Sequence, residues 1–135
     1  MQLANKFMML SMNVGDMATS KTFYVDQLGF EVSTDYRQDD NNWWVTLTLP
    51  EGGTTLTLSR ASVSPESVKS GTISLYFETS DVDATHKELS DKGIKVENVQ
   101  DDLFGPGSDV KWFNTVDPDG NAVYFVQKHD ARAPF

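Results

Sequence analysis

Cysteine is absent from the 135-residue chain. Disulfides, thiolate metal sites and cysteine nucleophiles are therefore excluded, and the absence fits a reducing compartment. Histidine occurs only twice, as His86 and His129. A histidine-based metal site or a Ser–His–acid triad has little to draw on. Basic residues are scarce as well: 11 Lys and Arg stand against 20 Asp and Glu, a formal net charge of −9. A surface of that sign repels phosphate backbones, which argues against nucleic-acid binding, and it disfavours docking on anionic membranes. No apolar run approaches the about 20 residues that span a bilayer. The stretch Phe7-Met8-Met9-Leu10 is too short for the apolar region of a secretion signal and lacks a small-residue cleavage pattern. A cytoplasmic protein with no membrane attachment is the expectation. The G-x-S-x-G elbow, the P-loop and the G-x-G-x-x-G fingerprint are missing too.

What is present is written twice. Residues 7–14 read as a strand, apolar on both faces as in a buried strand. Asp16 can cap a helix, and Met17, Ser20, Phe23, Tyr24 and Gln27 follow at helical spacing. Gly29 sits where a helix end needs positive φ, and Phe30-Glu31-Val32 resumes an extended pattern. Further on, Ile73, Leu75 and Phe77 alternate as in a half-buried strand. Asp81 can cap a second helix, Val82, Thr85 and Leu89 carry its period, Gly93 closes it, and Ile94-Lys95-Val96 restarts a strand. The two Asp caps are 65 residues apart and the two glycines 64. Each unit then continues with a hairpin. The first joins residues 43–49 to 54–59 through Pro50-Glu51-Gly52-Gly53, and the second joins 110–116 to 121–127 through Asp117-Pro118-Asp119-Gly120.

Each unit is therefore βαβββ, and the fold class is α+β. The expected organisation is one domain: module one over 5–60, a linker over 61–71, module two over 72–128 and a tail over 129–135. Such a unit makes a curved mixed sheet with a helix on one side and leaves the other face uncovered. Two copies can enclose a central cleft, the natural place for a small-molecule ligand.

Three motifs now fall in order. Phe23-Tyr24 with Leu28-Gly29-Phe30 resembles the "FY…LGF" signature of the vicinal-oxygen-chelate superfamily, which includes the glyoxalases, bleomycin-resistance proteins and extradiol dioxygenases. Asp81-Val82-Asp83-Ala84 resembles that family's second-module helix start. Asp117-Pro118-Asp119-Gly120-Asn121 resembles its last hairpin. The resemblance covers about residues 7–127. Its enzymes hold a divalent metal with His and Glu on cleft-facing strands, and transferring those positions gives Met9, Thr57, Ser74 and Tyr124. A thioether and three hydroxyls are not the donors that a catalytic transition metal needs. The expectation is a site with no metal and no cofactor.

The cleft-facing parity of the strands adds Ser11 and Tyr76 to those four. One of Trp43 and Trp44, and one of Trp112 and Phe113, should face the cleft while the other faces the helix-side core; Trp112 is taken as the lining residue. Residues 97–109 form a long segment with Gly105, Pro106 and Gly107, and its Phe104 is expected to pack over the cleft mouth as part of a lid. The expected ligand-binding set is thus Met9, Ser11, Thr57, Ser74, Tyr76, Phe104, Trp112 and Tyr124. His86 is expected to face solvent, and Asp39-Asp40 and Asp101-Asp102 read as solvated loop charges rather than a calcium loop.

Three functions compete. The first is a non-enzymatic binder of a small aromatic or apolar molecule, of the bleomycin-resistance kind. The second is an enzyme with a non-standard site: a metal-independent lyase or isomerase, for which Tyr76, Tyr124 and Glu78 are the acid–base candidates, or a metal enzyme whose ligands lie at other positions than the four transferred. The third is an accessory domain with a vestigial pocket. The resemblance also implies a homodimer.

Overall fold

Helix caps and turns place the strands in both repeats. The computed structural model describes residues 2–61 and 73–128. The expected linker from residue 62 onward and the tail from 129, with His129, lie outside the described residues. The chain divides into two compact units, Met1–Ser70 and Gly71–Phe135, and each is taken by itself. Among the described residues no helix is long and apolar enough to cross a membrane.

In the first unit, β1 (Met9–Asn13) leads to α1 (Met17–Lys21). The Asp16 carboxylate accepts a hydrogen bond from the Thr19 backbone N–H at 3.2 Å, so the cap acts as its residue type predicts. The helix then widens into a π-helical stretch, Thr22–Gln27, where the Leu28 N–H reaches back to the Phe23 carbonyl at 2.9 Å. The wider turn rotates successive side chains less than an α-helix does. Adjacent Phe23 and Tyr24 are both buried, edge to face with centroids 5.0 Å apart. Beyond Gly29 the chain forms β2 (Glu31–Asp39), β3 (Asn42–Thr48) and β4 (Thr55–Ala61). The sheet order is β1-β4-β3-β2, with β1 and β4 parallel and the other pairs antiparallel.

The first strand departs from expectation. It is shorter than residues 7–14 and is not buried on both sides: Phe7 and Met8 are 68% and 67% exposed. As an edge strand, it buries Met12 and places Met9, Ser11 and Asn13 on the open face. The core of this unit includes Met12, Val14, Met17, Phe23, Tyr24, Val45, Leu47 and Leu58.

The second unit runs β5 (Ser74–Thr79), α2 (Val82–Asp91), β6 (Trp112–Val116) and β7 (Ala122–Gln127), in sheet order β5-β7-β6. The Asp81 carboxylate accepts from the Ala84 N–H at 3.0 Å. The Gln127 side chain accepts from the Val82 N–H at 2.8 Å and donates to the Ser80 carbonyl, which fastens the helix start to β7. Leu75, Val82, Leu89, Phe113, Val123 and Phe125 form the core.

This sheet has three strands where the repeat implies four. Ile94-Lys95-Val96 does not restart a regular strand. The segment touches β6 through the Glu97 N–H on the Asn114 carbonyl, the Thr115 hydroxyl on the Lys95 carbonyl, and one bridge between Gln100 and Trp112. Val110 is likewise outside the strand and makes a single bridge with Asp102. His86 is not a solvent-facing histidine: it is half-buried, its Nε2 lies 3.0 Å from the Glu97 carbonyl, and its ring meets Phe113 edge-on at 5.0 Å. It ties α2 to the irregular segment.

The turn Asp117–Asn121 is a network rather than a bare hairpin. Buried Asp117 accepts from the Asp119 and Asn121 N–H groups at 2.9 and 2.8 Å and from the Asn121 side-chain amide at 3.0 Å. Asn121 in turn accepts from the Ile73 N–H at 3.2 Å, so the turn also anchors the entry to β5.

Gly29 and Gly93 have φ of +82° and +83° with open space at the Cβ position. The cost of a side chain there is backbone strain alone, so Gly29→Ala and Gly93→Ala should each destabilise their unit by about 1–2 kcal/mol in chemical denaturation. Lys21 donates to the Asp35 carboxylate at 2.5 Å and the Trp43 indole N–H to its other oxygen at 2.7 Å. The Lys21 hydrogen bond, the largest cause, holds the Asp35 pKa below its ordinary value, with Trp43 adding to it and partial burial opposing. A carboxyl lowered in the folded state contributes stability above its ordinary pKa and loses it as pH falls through the lowered one. Asp35→Asn should therefore flatten the acid limb of a stability–pH profile and leave less difference from wild type below that range.

Candidate functional site

The pairing registers decide which side chains share a face. In the first sheet Met9 pairs with Thr55, Ser11 with Thr57 and Asn13 with Ser59, while Thr57 faces Thr46 and Ser59 faces Trp44. The open face therefore carries Met9, Ser11, Thr57, Thr46 and Trp44, with Tyr36 stacked on Trp44 at 4.6 Å. Trp43 lies on the other face, where Arg37 sits 4.2 Å over its ring. The Thr57 hydroxyl bridges the Met9 sulfur and the Thr46 hydroxyl, each at 2.9 Å.

In the second sheet Ser74 pairs with Ala122, Tyr76 with Tyr124 and Glu78 with Val126, and Trp112 faces Val126 across the next ladder. Tyr76 and Tyr124 stack at 4.3 Å and 9°, and Trp112 leans on Tyr124 at 5.5 Å. These three rings form a continuous aromatic shelf. Phe113 belongs to the opposite face and stacks on Phe125 at 5.2 Å. Burial, the larger cause, and the neighbouring Tyr124 phenol both push the Tyr76 hydroxyl above the ordinary tyrosine pKa.

Beside the shelf is a cavity of about 460 Å³ lined by Tyr76, Glu78, Leu103, Phe104, Val126 and Gln127, together with Phe77. Its walls are apolar apart from Glu78 and Gln127. Tyr76 and Phe104 expose 59% and 54% of their surfaces, which is unusual for rings of that size. The segment 97–109 is held at its base, by Gln100 bonding to Trp112 in both directions at 2.8 Å, while Phe104 projects at its tip between Gly105 and Leu103.

Of the eight residues expected from the sequence, Ser74, Tyr76, Trp112 and Tyr124 share the open face of the second sheet, and Tyr76 and Phe104 line its cavity. Met9, Ser11 and Thr57 share the open face of the first sheet. Leu103, Val126 and Gln127 were not foreseen. Val126 has the parity of Tyr124 and was accessible to the same argument, whereas Leu103 depends on the path of the irregular segment and Gln127 is held by the start of α2.

The metal positions that the resemblance implies do not fit a transition metal. Thr57 is committed to Met9 and Thr46, and Tyr124 is stacked on Tyr76. Among the described residues no three His, Cys, Asp or Glu side chains gather as a metal site would need.

Replacing Tyr124 by Phe should bring Tyr76 ionisation to lower pH, towards but not fully to its ordinary value of 10.0, because burial still acts on it. Ultraviolet titration of the Y124F variant checks this.

Comparison with known proteins agrees with the geometry. The family model for the Glyoxalase/Bleomycin resistance protein/Dioxygenase superfamily matches residues 6–125. A superfamily member of known structure from Sphaerobacter thermophilus is 27% identical, with a TM-score of 0.74 over 94% of this chain and all of the other. A glyoxalase/bleomycin resistance protein from a Streptomyces species is 25% identical, with a TM-score of 0.70 over 88% of this chain and 97% of the other. The antibiotic-binding protein TnmS3, also from Streptomyces, shares the fold at 23% identity and a TM-score of 0.77, covering 96% of this chain and all of the other. No curated protein matches the chain.

Proposed function

From the premise that the chain belongs to the Glyoxalase/Bleomycin resistance protein/Dioxygenase superfamily, we propose that it binds a small aromatic or apolar molecule without the help of a metal. The observation that carries this reading is the shelf of Tyr76, Tyr124 and Trp112 beside an apolar cavity rimmed by Leu103, Phe104 and Val126. The cavity volume of about 460 Å³ is in the range of small-molecule sites. Parallel rings suit a flat ligand, which gains dispersion and offset stacking when it lies on them. The role is sequestration or resistance, in line with the antibiotic-binding relative. Ser74 extends the shelf as a polar edge, and Met9 and Ser11 offer a second surface of thioether and hydroxyl, backed by the buried Thr57. Phe104 acts as the movable rim of the cavity.

The same reading takes the protein to be a homodimer, from the family resemblance, and places it in the cytoplasm, a reducing compartment that suits a chain without cysteine. It assigns no nucleic-acid partner to a chain of net charge −9.

A thermal-shift screen over aromatic natural products should find compounds that raise the melting temperature. Tyr76→Ala and Phe104→Ala should each weaken such a compound about tenfold, the equivalent of ~1.4 kcal/mol, and ligand should slow proteolysis within 97–109. Elemental analysis should find no stoichiometric transition metal. Hits that bind equally well to both variants, or one zinc or nickel per chain, would sink the reading.

A further inference from the structure

A second cavity, of about 360 Å³, lies on the helix-side face of the first sheet. It shares no lining residue with the cavity beside the aromatic shelf and is on the opposite side of the sheet from Thr57. Its lining includes Asp16, Arg37, Asp40, Asn41, Trp43 and Arg60. Trp43 and Arg60 are register partners on β3 and β4, so the pleat delivers both to the same wall.

Arg60 is the unusual group. It is 7% exposed, yet its hydrogen-bond partners are neutral: the Val14 carbonyl at 3.3 Å and the Asn41 side-chain oxygen at 3.4 Å. None of the ion pairs among the described residues includes it. A guanidinium keeps its charge at any physiological pH and carries five N–H donors in a planar fork. Burying such a group against neutral acceptors alone is costly, and a charged acceptor in the cavity would offset that cost.

The two carboxylates of the lining are otherwise engaged, as is Asp35, which holds Lys21 and the Trp43 indole. Asp16 caps α1 by accepting from the Thr19 N–H. Asp40 pairs with Arg37 at the tip of the β2–β3 hairpin, where both side chains are more than half exposed. An exposed pair of this kind contributes little stability, so Arg37 can turn from Asp40 to a ligand at small cost. Arg37 already lies over Trp43, and with Arg60 it gives the cavity a second cation.

We propose that this cavity binds the oxyanion end of a small molecule, a carboxylate or a phosphate, with Arg60 as the buried fork and Arg37 as the adjustable second cation. Planar bidentate recognition of oxyanions is the chemistry for which guanidinium is suited. The site shares no lining residue with the cavity beside the aromatic shelf, so a protein with this pocket can hold two ligands or one regulatory anion alongside the shelf ligand.

Inorganic phosphate and butyrate, titrated separately into the full chain, test the proposal. The readouts are calorimetry and the Trp43 indole N–H resonance, whose donor is fixed on Asp35. At least one of the two anions should shift that resonance saturably, and which one does so identifies the headgroup. Arg60→Lys should weaken the effect about tenfold because a point charge replaces the fork. Arg37→Gln changes a side chain that is more than half exposed, is expected to fold even where the Arg60 variant does not, and should weaken it several-fold. Tyr76→Ala should leave it unchanged, which separates failure of this site from failure of the shelf. No saturable shift with either anion, or equal binding by wild type and Arg37→Gln, overturns the proposal.

Discussion

The parallel pairing of the first and last strands within each unit is the constraint on which the rest depends. β1 lies beside β4 although Met9 and Thr55 are far apart in sequence, and β5 lies beside β7 in the same way. Parallel neighbours need a crossover, and the capped helix of each unit supplies it. Once these strands are adjacent, alternation leaves one face against the helix and the other open. The open faces then collect residues that are distant in the chain: Met9 with Thr57, and Tyr76 with Tyr124.

The repeats use this plan differently. In the first unit the open face is thioether, hydroxyl and one indole, tied together by Thr57 between Met9 and Thr46. In the second it is a stack of three rings. The second sheet also gives up its fourth strand, and the chain that would have formed it becomes a pinned segment carrying Leu103 and Phe104 to the edge of the aromatic shelf. Loss of regular pairing there creates the cavity wall. His86 and the Gln100–Trp112 bridge hold the segment at points where a ladder would otherwise run.

Charge is distributed in keeping with that division. Among the described residues that line the cavity beside the aromatic shelf, Glu78 is the one carboxylate. The polar crevice of the first unit concentrates two arginines in a chain that has 11 basic residues altogether. In an acidic protein a buried Arg60 is conspicuous, because long-range attraction from 20 carboxylates does not replace a partner at hydrogen-bond distance.

Much of the architecture was legible in the sequence. Asp16 and Asp81 as caps, Gly29 and Gly93 as left-handed helix ends, and the two hairpin turns are local signals whose physics acts within a few residues. The parity of Tyr76, Tyr124 and Ser74 followed from strand alternation, as did the family resemblance from ordered motifs. Tertiary structure alone decided that Trp44 and Trp112 share their open faces while Trp43 and Phe113 turn inward, since register depends on the pairing partner. It also decided that Phe23 and Tyr24 enter the core together through a π-helical turn, that Ile94-Lys95-Val96 forgoes a strand, and that Arg60 is buried beside Trp43. These outcomes depend on packing between segments far apart in the chain, and neither spacing nor composition carries that information.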